Sequence, residues 1–413
     1  MAGDRTFVGF GLGPIQAGLM LYEAQRSGNF ARYVVAEIDG ELVEAVRENG
    51  NTLTINIACN DRIMTTMLED IEVLNPAVKA DRVQLRRAIG EADEMATAVP
   101  SVALYSAGGK NSISAMLAGA VNEDKPQLLY ASENNNYASE ILVDEMLKFG
   151  PATRFRRLQI LNTVIGKMSG VLREPDAIAG LNLDPLTPML RRAVLVEEFN
   201  RILVSRVTVA GASRGIEVFE EKEDLIPFEE AKLFGHNAIH SLLGYLAWRR
   251  GYVAMSQIRA DQALFELGRK AFVDEPGAAL VRKHASTGDP LFTPEGFAAY
   301  ADDLLERMTN PYLHDGVERI CRDPERKLGY GDRLFGTMRE CLKQEIVPKL
   351  LAKGAYAALH HLVATSTGSV GAPSLNEEKI RSQLERLWEE EHDDGLKERC
   401  VELVVEAAKE QVL

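Results

Sequence analysis

The chain has 413 residues, 46% of them hydrophobic and 26% charged; that is more than one hydrophobic core usually serves, so two domains are expected. A net charge of −14 argues against a broad nucleic-acid or anionic-membrane surface, because either partner requires an extended basic field. No run approaches membrane-spanning length, and Met1 leads into Thr6-Phe7-Val8-Gly9 without the regions of a signal peptide, so a cytoplasmic protein is expected. Cys59, Cys321, Cys341 and Cys400 form no CxxC pair, which suits a reducing compartment and gives no thiolate zinc signature.

In chain order, Thr6 to Phe10 reads as a buried strand, Pro14 to Ser27 as a helix and Tyr33 to Ala36 as a second strand, together a βαβ unit. Ile71 to Leu74, Glu94 to Val99 and Gln127 to Ala131 add further strands, which predicts a mostly parallel sheet covered by helices. Past Pro188 the texture changes. Helical spacing runs over Glu229 to Arg249, Met255 to Ala271, Pro294 to Met308 and Ile380 to Leu387. Capping patterns stand at Thr293-Pro294-Glu295 and Ser374-Leu375-Asn376-Glu377-Glu378. Thr365-Ser366-Thr367-Gly368-Ser369 reads as a loop between helices. The expected architecture is an α/β Rossmann-type domain over 1–188 and a mainly α-helical domain over 189–413.

Gly11-Leu12-Gly13-Pro14-Ile15-Gln16 lies between the first strand and the first helix. Gly11 permits a tight turn, Gly13 lets backbone approach a pyrophosphate, and the helix N-terminus directs free N–H groups at the anion. Gln16 stands where the usual third glycine would be. The second strand ends at Ala36-Glu37-Ile38-Asp39, where an acid accepts hydrogen bonds from the adenosine ribose and repels a 2′-phosphate, favouring NAD; Glu37 is the better candidate and Asp39 the second. A glycine turn without a ligand, with an acid that merely caps a helix, is the alternative.

Glu229-Glu230-Ala231-Lys232-Leu233-Phe234-Gly235-His236-Asn237-Ala238-Ile239-His240 carries the most chemistry. At about 100° per residue, Lys232, Glu229, His236, His240 and Asn237 fall within an arc of roughly 140°. One face then holds a base, an amide and imidazoles, and burial would lower the lysine pKa enough to make a general base. Two alternatives remain. His236 and His240 are spaced like metal ligands, although Asn237 stands where a metalloprotease has glutamate, and a solvated polar helix face has the same spacing.

Lys232, Asn237 and His240 match, in order and spacing, the active-site pattern of the polyol-specific long-chain dehydrogenase family, which the chain resembles over nearly its whole length. Asp93 with Ala96-Thr97-Ala98-Val99 is similar to the family's strand end beside the nicotinamide, and Ala131-Ser132-Glu133-Asn134 to its second asparagine motif. Asn310 to Arg319 and Arg326 to Leu334 are similar to its C-terminal signature. The resemblance implies a cofactor site of Gly11, Gly13, Gln16, Glu37, Thr97 and Ala98. It implies Lys232 as the base, Asn134 and Asn237 as amide donors to a developing alkoxide, and His240 orienting a substrate hydroxyl. Glu229 would relay the proton outward, with Glu230 as its rival. Arg319 and Lys327 would contact the polyol, and Arg322 a substrate phosphate. One departure is plain: Gly166-Lys167 stands where the family's aspartate-arginine pair aligns.

The implied activity is metal-independent, NAD-dependent oxidation of a hexitol phosphate to a ketose phosphate such as fructose 6-phosphate. A free hexitol or a sugar acid as substrate, or an NAD-binding regulator without turnover, is the alternative. The expected partner is a small polyol or polyol phosphate, with no nucleic acid, membrane or metal, in a monomer or weak homodimer.

Overall fold

Arg5–Phe10 (β1) forms a strand whose last five side chains are all buried, and its alternate residues enter different cores. Phe7 packs with Tyr33 and Val35, while Val8 and Phe10 pack with Val34 and Ala36. Period-two alternation therefore places one apolar core on each face of the sheet. The computed structural model describes residues 3–367, 375–392 and 394–410. The chain divides into two units, Met1–Ile226 and Pro227–Leu413.

In the first unit the strands after β1 are β2 (Phe30–Ala36), β3 (Leu53–Ala58), β4 (Ile63–Leu68), β5 (Ile71–Leu74), β6 (Glu94–Thr97) and β7 (Gln127–Ala131). They continue with β8 (Leu158–Val164), β9 (Ser169–Leu172), β10 (Ala193–Glu197), β11 (Leu203–Ser205) and β12 (Glu220–Lys222). Eight of them form one sheet in the order β12-β11-β8-β7-β6-β1-β2-β5. All neighbours pair in parallel except β11 with β8. Strand order reverses at β1, so a crevice opens at the carboxyl ends of β1, β2 and β6, where such sheets bind ligands.

The remaining strands form a second sheet, β4-β3-β10-β9, which the sequence reading did not anticipate. It also moves the boundary: β10, β11 and β12 lie past residue 188 yet pair with strands of the first unit, so that unit extends to Ile226.

The second unit is helical. The helix over 226–249 is α-helical at Ile226–Glu230 and Ala238–Arg249, with a π-helical stretch, Ala231–Asn237, between. The segment expected as one helix from Met255 to Ala271 breaks into Gln257–Ala260 and Gln262–Phe272, because Asp261 turns out of helical geometry and accepts from Leu264 N–H. Pro294–Met308 is capped by Thr293 and Glu377–Leu387 by Asn376; Ser374 lies outside the described residues. Thr365 and Ser366, expected in a loop, end the helix Lys349–Thr367, because their hydroxyls donate to the carbonyls of His361 (2.8 Å) and Val363 (3.0 Å). Gly368 and Ser369 lie outside the described residues. No helix among them is long and apolar enough to cross a membrane.

Candidate active site

The turn after β1 is built by the glycines and clasped by Glu37. Gly11 has φ +83°, and a Cβ there would meet the Ala98 carbonyl at 2.9 Å, so glycine is required. Gly11 N–H donates to Ala36 O (2.8 Å) and Leu12 N–H to Glu37 Oε2 (2.7 Å). The other carboxylate oxygen, Oε1, accepts from Ile38 N–H (2.7 Å) and Asp39 N–H (2.8 Å). Asp39 takes the capping role: its side chain accepts from Leu42 N–H (3.2 Å) and pairs with Arg192 (3.0 Å).

These groups border a cavity of about 610 Å³ lined by Gly11, Gly13, Glu37, Ala98 and Asn134 among others, a size suited to a cofactor. A Cβ built on Gly13 would meet nothing nearer than Ala98 O at 4.0 Å, so the missing side chain leaves open room at the helix N-terminus. The residues present fit an NAD-type dinucleotide: the Gly11–Gly13 turn would hold its pyrophosphate and Glu37 its adenosine ribose.

Two residues expected at the cofactor lie behind this wall. Gln16 is fully buried and occupies the space over Gly9, where a Cβ would meet its amide nitrogen at 2.3 Å. The strand glycine thus makes room for the larger residue at the position of the third fingerprint glycine. Thr97 is also fully buried, its hydroxyl donating to Glu133 (2.9 Å). Glu133 additionally accepts from Val99 N–H (3.0 Å) and Tyr105 hydroxyl, and burial raises its pKa against the pull of these donors.

In the second unit, Lys232, His236 and Asn237 lie in the π stretch and His240 in the α-helix that follows. Burial pushes the Lys232 ammonium down to about 8; Glu229 opposes the shift and Arg333 adds to it. Glu229 is itself buried. Glu230 faces other partners, bonding Lys283 (2.8 Å) and His284 (2.6 Å). His236 is held well below the usual histidine range, by burial first and then by His240, Arg307, Lys232 and Arg333, so its ring is neutral. The His236 and His240 rings lie 6.0 Å apart. Among the described residues no three histidines, cysteines or acids are grouped as a metal site.

His240 Nε2 stands 2.9 Å from Asp315 Oδ2. The other oxygen of Asp315 accepts from Arg319 Nε (2.9 Å) and Nη2 (2.7 Å). Burial opposes ionisation of this acid, but His240 and Arg319 outweigh it and keep its pKa below the ordinary value. Asp315 was missed in the site because only its motif, and no spacing relative to the helix, marks it in the sequence. Arg322 is exposed, and its side chain donates to the Arg319 carbonyl (3.4 Å). Lys327, expected at the polyol, is turned inward: it is buried, its amine donates to the Ile320 and Arg322 carbonyls, and burial followed by Arg333 lowers its pKa to about 8. Lys167, at the departure from the family pattern, is likewise buried in the first unit, donating to Asn200 Oδ1 (2.6 Å) and to the Phe199 (3.0 Å) and Glu197 carbonyls.

Residues 224–398 match the mannitol dehydrogenase C-terminal domain. The mannitol-1-phosphate 5-dehydrogenase of Thermoanaerobacter pseudethanolicus is 29% identical over 358 residues, 85% of this chain and 84% of that one. The enzyme of the same name from Brevibacillus brevis is 27% identical over 361 residues, 85% of each chain. The second unit thus carries a region similar to the mannitol dehydrogenase C-terminal domain, and the chain is similar over most of its length to enzymes named mannitol-1-phosphate 5-dehydrogenase. A further match, 34% identical, is to the mannitol-1-phosphate 5-dehydrogenase of Halalkalibacterium halodurans, over 180 residues. It spans 44% of this chain and 45% of that relative. The fold agrees with a D-sorbitol dehydrogenase (TM-score 0.75, 12% identity, 98% and 95% of the two chains). It also agrees with the Pseudomonas fluorescens mannitol 2-dehydrogenase solved with NAD and D-mannitol (TM-score 0.66, 14% identity, 98% and 92%). The expected α/β domain followed by a helical one, and the family resemblance, are thus borne out.

Proposed function

We propose that this protein oxidises a hexitol phosphate, mannitol 1-phosphate or a close analogue, to a ketose phosphate such as fructose 6-phosphate, with Lys232 as general base. The observation that carries this reading is the Lys232 amine, lowered to about 8 within the helix that also bears Asn237 and His240. A lysine left near its ordinary value is almost wholly protonated at neutral pH, whereas one near 8 has a useful neutral fraction.

NAD, when bound, accepts the hydride. Glu37 and the Gly11–Gly13 turn orient its adenosine ribose and pyrophosphate. Lys232 takes the substrate hydroxyl proton, and Glu229, the acid nearest to it in charge effect, passes that proton on. Asn237 donates amide N–H groups to the oxygen as it gains negative charge, and His240 orients a hydroxyl.

A phosphate finds its partner in Arg322, which is exposed and forms no ion pair among the described residues, and guanidinium groups match phosphate oxygens in pairs. The names of the relatives favour the same choice. Measuring NADH formation with hexitols, hexitol phosphates and aldonates tests the proposal: hexitol phosphates should give the highest kcat/KM, and preference for a free hexitol or an aldonate contradicts it.

A further inference from the structure

We propose that Asp315 is a positioning residue that fixes the tautomer of His240 and, through the same carboxylate, the guanidinium of Arg319. The proposal rests on the reading of His240 and Arg319 as substrate contacts. It concerns what holds them.

An ionised carboxylate only accepts hydrogen bonds. With Oδ2 at 2.9 Å, a neutral His240 avoids lone-pair repulsion only by carrying its proton on Nε2, which leaves Nδ1 as the acceptor for a hydroxyl. The approach is oblique to the ring N–H, a geometry that commonly tightens in the substrate complex. The His236 ring lies 6.0 Å from the His240 ring; held neutral, it adds no competing charge. On the opposite side of the carboxylate, two Arg319 donors converge on Oδ1.

The backbone is shaped to deliver this acid. His314 has φ +53°, a left-handed conformation unusual for a side-chain-bearing residue and found where a particular placement is needed. The bend is stapled on both sides: Met255 N–H donates to Asp315 O (2.9 Å) and Val317 N–H to Val253 O (3.0 Å). Asp315 is therefore set by its neighbours before any ligand arrives.

The test is nitrogen-15 NMR of the full-length protein labelled at histidine, with the His240 signals assigned from His240→Gln. The wild-type ring should be the Nε2–H tautomer when neutral. In Asp315→Asn the amide oxygen is drawn to the Arg319 donors, so the NH2 group faces His240 and the ring should change to Nδ1–H. Turnover should fall about 100-fold, the scale of a small misplacement. Arg319→Gln should leave the tautomer unchanged. A wild-type Nδ1–H ring overturns the proposal without any variant, as does an Asp315→Asn protein with an unaltered tautomer. An enzyme inactive on every polyol would instead sink the functional reading, while the tautomer, measured without substrate, would still decide this one.

Discussion

Lys232 and Asn237 are five positions apart and lie within one π-helical stretch, Ala231–Asn237. The i→i+5 bonding of a π-turn brings residues five apart over one another, where an α-helix would rotate them roughly 140° apart. The lysine-x4-asparagine spacing is thus matched to the irregular geometry rather than to the helix on either side. Deleting Ala231, which leaves the lysine-x4-asparagine spacing intact, should restore α bonding, leave the melting temperature unchanged or higher, and lower turnover on the order of 100-fold or more. Thermal unfolding and steady-state kinetics on one preparation check this; retained turnover would mean that the π-turn has no part in aligning the pair.

Glu37 has a double task, because its carboxylate accepts Leu12, Ile38 and Asp39 N–H groups while lining the cofactor cavity. Wild-type enzyme should prefer NAD strongly over NADP. Glu37→Ala should weaken NAD binding and narrow the preference by about tenfold or more, equal to about 1.4 kcal/mol. Equal efficiency with both cofactors in the wild type would show that Glu37 does not face the ribose.

The parallel sheet was legible because β1, β2, β5, β6 and β7 are short apolar runs separated by helices, and buried parallel strands take that form. β3 and β4 were not. Thr54, Asn56, Thr65 and Thr66 interrupt their apolar pattern, and Asn56 is buried only because the Asp184 and Val194 carbonyls accept from its amide (2.8 and 3.0 Å). Such distant partners are invisible to local periodicity. In the site, spacing placed Lys232, Asn237 and His240 on one helix but assumed α geometry throughout. It also missed Asp315, whose approach to His240 depends on a left-handed turn at His314, and it put Gln16 at the cofactor without seeing that Gly9 leaves room for it behind the wall.

Glu275 offers a pH test away from the site. Its carboxylate accepts from Leu350 N–H (2.6 Å) and Leu351 N–H (2.8 Å), yet burial outweighs these bonds and pushes it up to about 7. The folded chain therefore retains a proton that the unfolded chain releases near its ordinary value of about 4.3. That stabilisation is complete below the unfolded pKa and is lost as pH rises through 7. It amounts to on the order of 3 kcal/mol. Relative to Glu275→Gln, the wild type should lose stability between about pH 4 and 7 in urea unfolding; a difference constant across that range would contradict the shift.

Arg322→Ala should raise KM for a hexitol phosphate about tenfold while leaving the free hexitol nearly unchanged, because only the phosphate offers paired acceptors to the guanidinium. Parallel kinetics with the two substrates decide it. Equal effects on both would assign Arg322 to surface electrostatics, where isolated charges contribute little.

The most direct measurement is the pH dependence of polyol oxidation by wild type and Lys232→Ala, in buffer containing a strong chelator. The base must be neutral to accept a proton, so wild-type kcat/KM should rise with pH through about 8, the value of Lys232, and be unaffected by chelation. Lys232→Ala should bind NAD normally and lose about 100- to 10,000-fold in turnover. Near wild-type turnover in the variant, or activity abolished by the chelator and restored by zinc, would contradict a lysine-based, metal-independent mechanism.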